Sequence, residues 1–189
     1  MAILEVLQFP DPRLRRRSEP IEKITDELRQ LAADMLETMY DEPGIGLAAP
    51  QVSQPVRLVV LDTDWTGEDA ERSPLVLVNP EILERDGKLV WNEGCLSVPE
   101  FTADVVRAER VVLRATDLEG KEIREEASGL RAVCFQHELD HLDGLLFIDR
   151  ISRLKRDLYV QKRKKALREE GAAWTTAGER PPGAPATRL

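Results

Sequence analysis

The stretch FQHELDHLDG, residues 135–144, contains both histidines of the 189-residue chain, His137 and His141, four positions apart. On a helix that interval stacks the two imidazoles one turn apart on one face, where two neutral rings can grip a single metal ion. The pattern H-E-x-x-H has a defined chemistry: two histidine ligands with a glutamate, here Glu138, available as a general base. The plain alternative is a pair of core or surface histidines that happen to be neighbours. Leu130, Val133 and Cys134 precede the histidines at helical intervals, so the imidazoles belong to an apolar stripe that faces the core. Buried ring nitrogens need partners, and one ion serves both rings at once.

A third ligand would have to be Cys, Asp or Glu, because the chain has no third histidine. Downstream, Asp143, Asp149, Asp157, Glu169 and Glu170 fall into no recognisable ligand pattern. Upstream, EGCLSVPE (93–100) presents Cys95 behind a glycine at the end of a strand-like stretch. A thiol there can reach a neighbouring helix, although a small buried hydrophobe is the competing reading. Cys134, one turn before His137, reads as a pocket wall. GIGLAAPQ (44–51) is a low-bulk loop where something comes close to the backbone, and Gln51 ends it with an amide that donates and accepts. A simple helix-to-strand connection would look the same.

These residues need elements to hold them. Thr25 reads as an N-cap, with Asp26 and Glu27 in the first turn and Leu28, Leu31, Met35 and Met39 at helical spacing until Pro43-Gly44. VRLVVLD (56–62), LVLVNPEIL (75–83) and GKLVWN (87–92) read as strands, the last two joined through Arg85-Asp86-Gly87. RVVLRATDLEGKEIREEA (110–127) reads as a hairpin turning at Glu119-Gly120. A second helix is expected from Ser128 to Leu142, stopped by Gly144, and a third from Ser152 to Glu170. Strands grouped between helices argue for an α+β fold with a mostly antiparallel sheet. Residues 1–170 are expected to form one catalytic domain, and the Pro/Gly/Ala/Thr-rich stretch 171–189 a disordered tail.

Composition narrows the class. The chain is 42% hydrophobic and 33% charged with net charge −8, typical of a soluble globular protein and no general advertisement for nucleic acid. No apolar run approaches bilayer-spanning length. The opening MAILEVLQFPDPRLRRR has its charges after the apolar residues and no h-region. A cytoplasmic protein is expected, with Cys95 and Cys134 as separate thiols.

GIGLAAPQ, EGCLSVPE and QHELDH, in this order and spacing, resemble the three signature motifs of peptide deformylase, and FPDPRLRR with the sequence through residue 168 extends the likeness. The resemblance implies antiparallel sheets wrapped around a central helix carrying HELDH, with a C-terminal helix. It implies removal of the N-terminal formyl group from formylmethionyl nascent polypeptides, releasing formate. Cys95, His137 and His141 would then be the metal ligands and water the fourth, the open arrangement of a catalytic site. Cys95 would bind as thiolate, and Glu138 would take a proton from metal-activated water and hand it to the leaving amine. The Gln51 amide and the Leu96 N–H would bind the oxyanion, while Gly46 would keep the wall beside the formyl group close. Glu93 or Asp140 could orient a histidine. Ile45, Trp91, Leu130, Val133 and Cys134 could receive the methionine side chain, or simply pack the core. Arg107 reads equally as a substrate contact or an exposed strand arginine. The resemblance favours Fe²⁺, with Zn²⁺, Ni²⁺ or Co²⁺ able to replace it, since mixed Cys/His ligation does not separate them.

The third helix carries eight basic residues and three acidic ones between Ser152 and Glu170. A solvated face is the ordinary meaning of such a run; contact with the ribosome is the functional one. The protein is otherwise expected to be a monomer with no membrane partner. A zinc metalloprotease would instead require a ligand downstream of His141, and a metal-stabilised binding module would require a closed fourth position or no base.

Overall fold

The computed structural model describes residues 2–42, 44–67 and 70–174. Three α-helices, α1 (Asp26–Asp41), α2 (Gly129–Leu142) and α3 (Arg153–Glu169), accompany seven strands: β1 (Gly46–Ala48), β2 (Leu58–Leu61), β3 (Leu75–Asp86), β4 (Leu89–Cys95), β5 (Val98–Arg107), β6 (Arg110–Thr116) and β7 (Glu122–Ser128). The strands form two sheets, a five-stranded one in the order β1-β2-β3-β6-β7 and the two-stranded hairpin β4-β5, with every pair antiparallel. The expected α+β architecture is therefore the observed one.

Strand β2 shows how the layers arise. All four of its residues are buried. Leu58 and Val60 pack with Leu28, Ala32, Met35 and Met39 of α1, while Val59 and Leu61 pack with Phe135, Leu139 and Leu142 of α2. The period-two alternation of a strand thus separates two cores, one on each face of the five-stranded sheet. A third core joins Val98, Ala103 and Val105 of β5 to Phe9, Phe147 and Tyr159.

Thr25 caps α1 by accepting from the Leu28 N–H at 3.3 Å. Gly144 follows α2 with a left-handed φ of 74°, and a Cβ there would stand 2.5 Å from the Arg15 carbonyl oxygen, so only glycine fits the turn. Pro43, half of the stop foreseen for α1, lies outside the described residues.

Several features go beyond the sequence reading or depart from it. GKLVWN and LVLVNPEIL are strands, but they do not pair with each other: β3 lies between β2 and β6, whereas β4 pairs with β5. Strands β1 and β5 were not foreseen: β1 is only three residues long and is a strand through its pairing with β2, and the alternation along β5 went unused. Helix α2 is buried on nearly all sides, including Ala132, Phe135, Gln136, Glu138 and Leu139, so its apolar stripe is only one of two packed faces. Within the expected tail, Trp174 packs edge-on against Phe9 with ring centroids 6.0 Å apart; residues 175–189 lie outside the described residues.

Candidate metal centre and active site

Helix α2 carries His137 and His141 with ring centroids 5.0 Å apart. Cys95 is the last residue of β4, and Leu96-Ser97 turns the chain into β5 with Cys95 opposite Val98. That turn brings the thiol to the helix: Cys95 Sγ is 3.2 Å from His141 Nε2. One ligand atom from each of Cys95, His137 and His141 lies within 4.8 Å of the others. Sequence reasoning had named these three from segments more than forty residues apart.

The surroundings suit a cation. Glu93 Oε2 pairs with His137 Nδ1 at 2.8 Å, which leaves the other ring nitrogen for the cluster. Burial alone would lower the pKa of His137, but Cys95 and Glu93 outweigh it and raise it well above its usual value. Positive charge is therefore favoured at that point. Burial, with His137 nearby, drives His141 the other way, well below its usual value. A neutral imidazole facing a sulfur is a pair of electron donors, and a divalent ion fits between such donors.

Glu138 follows His137 in the helix and is only 4% exposed. Burial pushes its carboxyl up to about 7, and Oε2 has no hydrogen-bond partner among the described residues. An unpartnered buried carboxylate is costly and is suited to exchanging protons with something that enters the site. Gly46 on β1 faces it: a Cβ there would lie 2.5 Å from Glu138 Oε1 and 3.0 Å from Cys134 Sγ. Glycine at this position makes room for the carboxylate.

Gln51 is held at both ends of its amide. Oε1 accepts from the Ala48 N–H at 2.8 Å, and Nε2 donates to Ser97 Oγ at 3.1 Å and lies 3.7 Å from Cys95 Sγ. The donor end is thus aimed at the cluster. Ser97, fully buried, was missed by sequence reasoning, since a serine in a turn carries no distinguishing signal.

A cavity of about 620 Å³ opens over this group, lined by Gly46, Gln51, Cys95, Leu96, His137 and Glu138. Ile45, Trp91, Leu130, Val133 and Cys134 line it too, so the five residues offered for an apolar side chain all border the same cavity. His141 sits behind them, buried. Arg107 requires correction on both readings: it is neither exposed nor a lining residue. It is 4% exposed and ion-paired to Glu93 and Asp140. Glu93 and Asp140 also divide what had been left open, since Glu93 bonds His137 and Asp140 bonds arginines.

The profile of the family described as polypeptide deformylase matches residues 3–157. A peptide deformylase of Alkalilimnicola ehrlichii is 54% identical over 169 residues, covering 89% of this chain and 93% of that protein. The crystal structure of a peptide deformylase from Legionella pneumophila superposes with a TM-score of 0.82 at 43% identity, over 92% of this chain and all of that one. Another, from Ehrlichia chaffeensis in complex with actinonin, gives a TM-score of 0.81 at 38% identity, over 89% of this chain and 99% of that one.

Proposed function

The chain belongs to the polypeptide deformylase family of enzymes, and on that premise we propose that it hydrolyses the N-terminal formamide of formylmethionyl nascent polypeptides, releasing formate. One observation carries the reading to particular residues: a Cys/His/His cluster that reaches a cavity through Cys95 and His137, with an unpartnered buried carboxylate oxygen of Glu138 beside it.

Cys95, His137 and His141 hold one divalent ion, Fe²⁺ in the native protein, with Zn²⁺, Ni²⁺ or Co²⁺ as substitutes. When bound, the ion supplies Lewis-acid polarisation and the means to activate water near neutral pH. Glu138 accepts the proton of the attacking water and returns it to the departing amine. Gln51 Nε2 and the Leu96 backbone N–H donate to the oxygen on which negative charge develops; loss of one such donor costs about 3–4 kcal/mol. The Ala48 and Ser97 contacts keep the Gln51 amide from turning its acceptor towards that charge. Gly46 lets the carboxylate approach the reacting group. The methionine side chain occupies the cavity bordered by Ile45, Trp91, Leu130, Val133 and Cys134.

Two outer assignments accompany this one. No helix among the described residues is long and apolar enough to cross a membrane, and the substrate class argues for a cytoplasmic monomer acting where chains emerge. Helix α3 is proposed to dock on the ribosome, with Arg153, Lys162 and Lys165 offering side chains that are 93, 64 and 78% exposed to phosphate. Reversing Arg153, Lys162 and Lys165 to Glu should weaken co-sedimentation with ribosomes; unchanged co-sedimentation removes that docking mode.

The enzymatic assignment is tested by anaerobic purification, metal analysis and formate release from a formylmethionyl peptide. Formate release by wild type and its loss in Cys95→Ala, together with loss of the ion, are expected. A metal-free wild type that still releases formate would refute the proposed chemistry.

A further inference from the structure

Behind the cluster, four charged side chains form a continuous chain, Glu93–Arg107–Asp140–Arg150, from β4 through β5 to α2 and beyond. Arg107 Nε and Nη2 donate to the two carboxylate oxygens of Glu93 at 2.6 and 2.9 Å, while Nη1 donates to Asp140 Oδ2 at 2.6 Å. Asp140 is held again by Arg150, through Nε to Oδ2 at 2.5 Å and through Nη2 to Oδ1. Two carboxylates and two guanidinium groups balance in charge. Against the opposing effect of burial, Arg107 and His137 hold Glu93 below its usual carboxylate range, and Arg150 and Arg107 do the same for Asp140.

The location of the partners gives the network its consequence. Glu93 is two residues before Cys95 on β4, and Asp140 is one residue before His141 on α2. No backbone ladder joins β4 to α2, so the separation of sulfur from imidazoles must be set by side chains. A guanidinium is planar and rigid, with donors in a fixed fork. Its three bonded nitrogens therefore hold the two carboxylates at a single separation. Glu93 passes this on directly, because the oxygen receiving Nη2 is the one paired with His137 Nδ1.

We propose that Arg107 is a positioning residue for the metal cradle: it spans the strand bearing Cys95 and the helix bearing His137 and His141, sets their spacing, and orients His137 through Glu93. Arg150 holds both oxygens of Asp140, sharing Oδ2 with Arg107, so that Arg107 rests on a carboxylate already fixed in place. The inference rests on the reading of Cys95, His137 and His141 as the metal ligands. It adds a residue that touches neither ion nor substrate and makes the grip on the ion depend on it. Lysine, a point charge on a flexible stem, cannot serve both carboxylates in the same geometry.

The test measures the ion itself. Zinc-loaded wild type, Arg107→Lys, Arg150→Met and Tyr40→Phe are challenged with excess chelating dye, and zinc release is timed; thermal unfolding of each is recorded in parallel. Tyr40→Phe removes a buried hydrogen bond to Asp62 on the α1 side of the sheet, so it reports what general destabilisation does to release. Arg107→Lys should release zinc at least about tenfold faster than wild type, the scale of losses when an outer partner of a metal ligand is removed. Arg150→Met should release it faster by a smaller factor, and Tyr40→Phe at the wild-type rate. The visible spectrum of the cobalt-loaded protein should shift in Arg107→Lys and not in Tyr40→Phe.

If Arg107→Lys is folded and releases zinc no faster than Tyr40→Phe, the positioning role is overturned while the ligand assignment stands. If Arg107→Lys does not fold, Arg150→Met decides, and release at the Tyr40→Phe rate overturns the proposal. A wild type that takes up no zinc or cobalt removes the ligand assignment and the proposal with it.

Discussion

Helix α2 buries Glu138, Asp140 and His141, whereas α3 exposes Arg153, Lys162 and Lys165 to solvent. On α2 the charged or polar groups are fixed by named partners or, for Glu138 Oε2 and His141 Nδ1, have no hydrogen-bond partner among the described residues. On α3 the pairs are loose: Arg153 with Asp157 at 3.5 Å and Lys165 with Glu169 at 3.8 Å, each one turn apart. Out of water, a charge must be matched by neighbours and its removal leaves an uncompensated group. At the surface, water and salt do most of the matching. The buried charges of α2 therefore specify geometry, whereas the exposed ones of α3 contribute only a field.

The contrast predicts a ladder of effects. Glu138→Gln keeps the shape of the side chain but cannot accept a proton, so turnover should fall about 10²–10⁴-fold while bound metal remains; formate assays with metal analysis on the same sample measure both. Asp140→Ala strips Arg107 and Arg150 of a shared partner and should lower stability by about 3–5 kcal/mol, read from denaturant unfolding. Gly46→Ala puts a methyl group into the Glu138 carboxylate and should reduce turnover about 10²-fold through displacement of the base, with little change in metal content. Lys165→Ala on α3 should change stability by no more than about 0.5 kcal/mol. Equal losses for Asp140→Ala and Lys165→Ala would erase the distinction between the two helices.

How far the sequence revealed this arrangement differs from residue to residue. His137, Glu138 and His141 were legible because a helix converts a four-residue interval into adjacency. Cys95 and Gln51 lie far from them in sequence, and no local periodicity connects those segments; only the ordered motifs did. The separation of β3 from β4 was not legible, since a short turn between strand-like segments does not say whether they pair. Arg107 did leave a signal that went unused. Ala103, Val105 and Arg107 alternate along β5 and are all buried, so period-two reasoning would have turned the arginine inward. Its partners, Glu93 and Asp140, come from two other elements, and that convergence is set by tertiary packing.

The most direct test of the account is X-ray absorption at the metal edge of anaerobically purified protein. One sulfur at about 2.3 Å and two imidazole nitrogens should be found in wild type, with the sulfur lost in Cys95→Ser. A stoichiometrically bound ion with no sulfur neighbour would contradict the proposed centre.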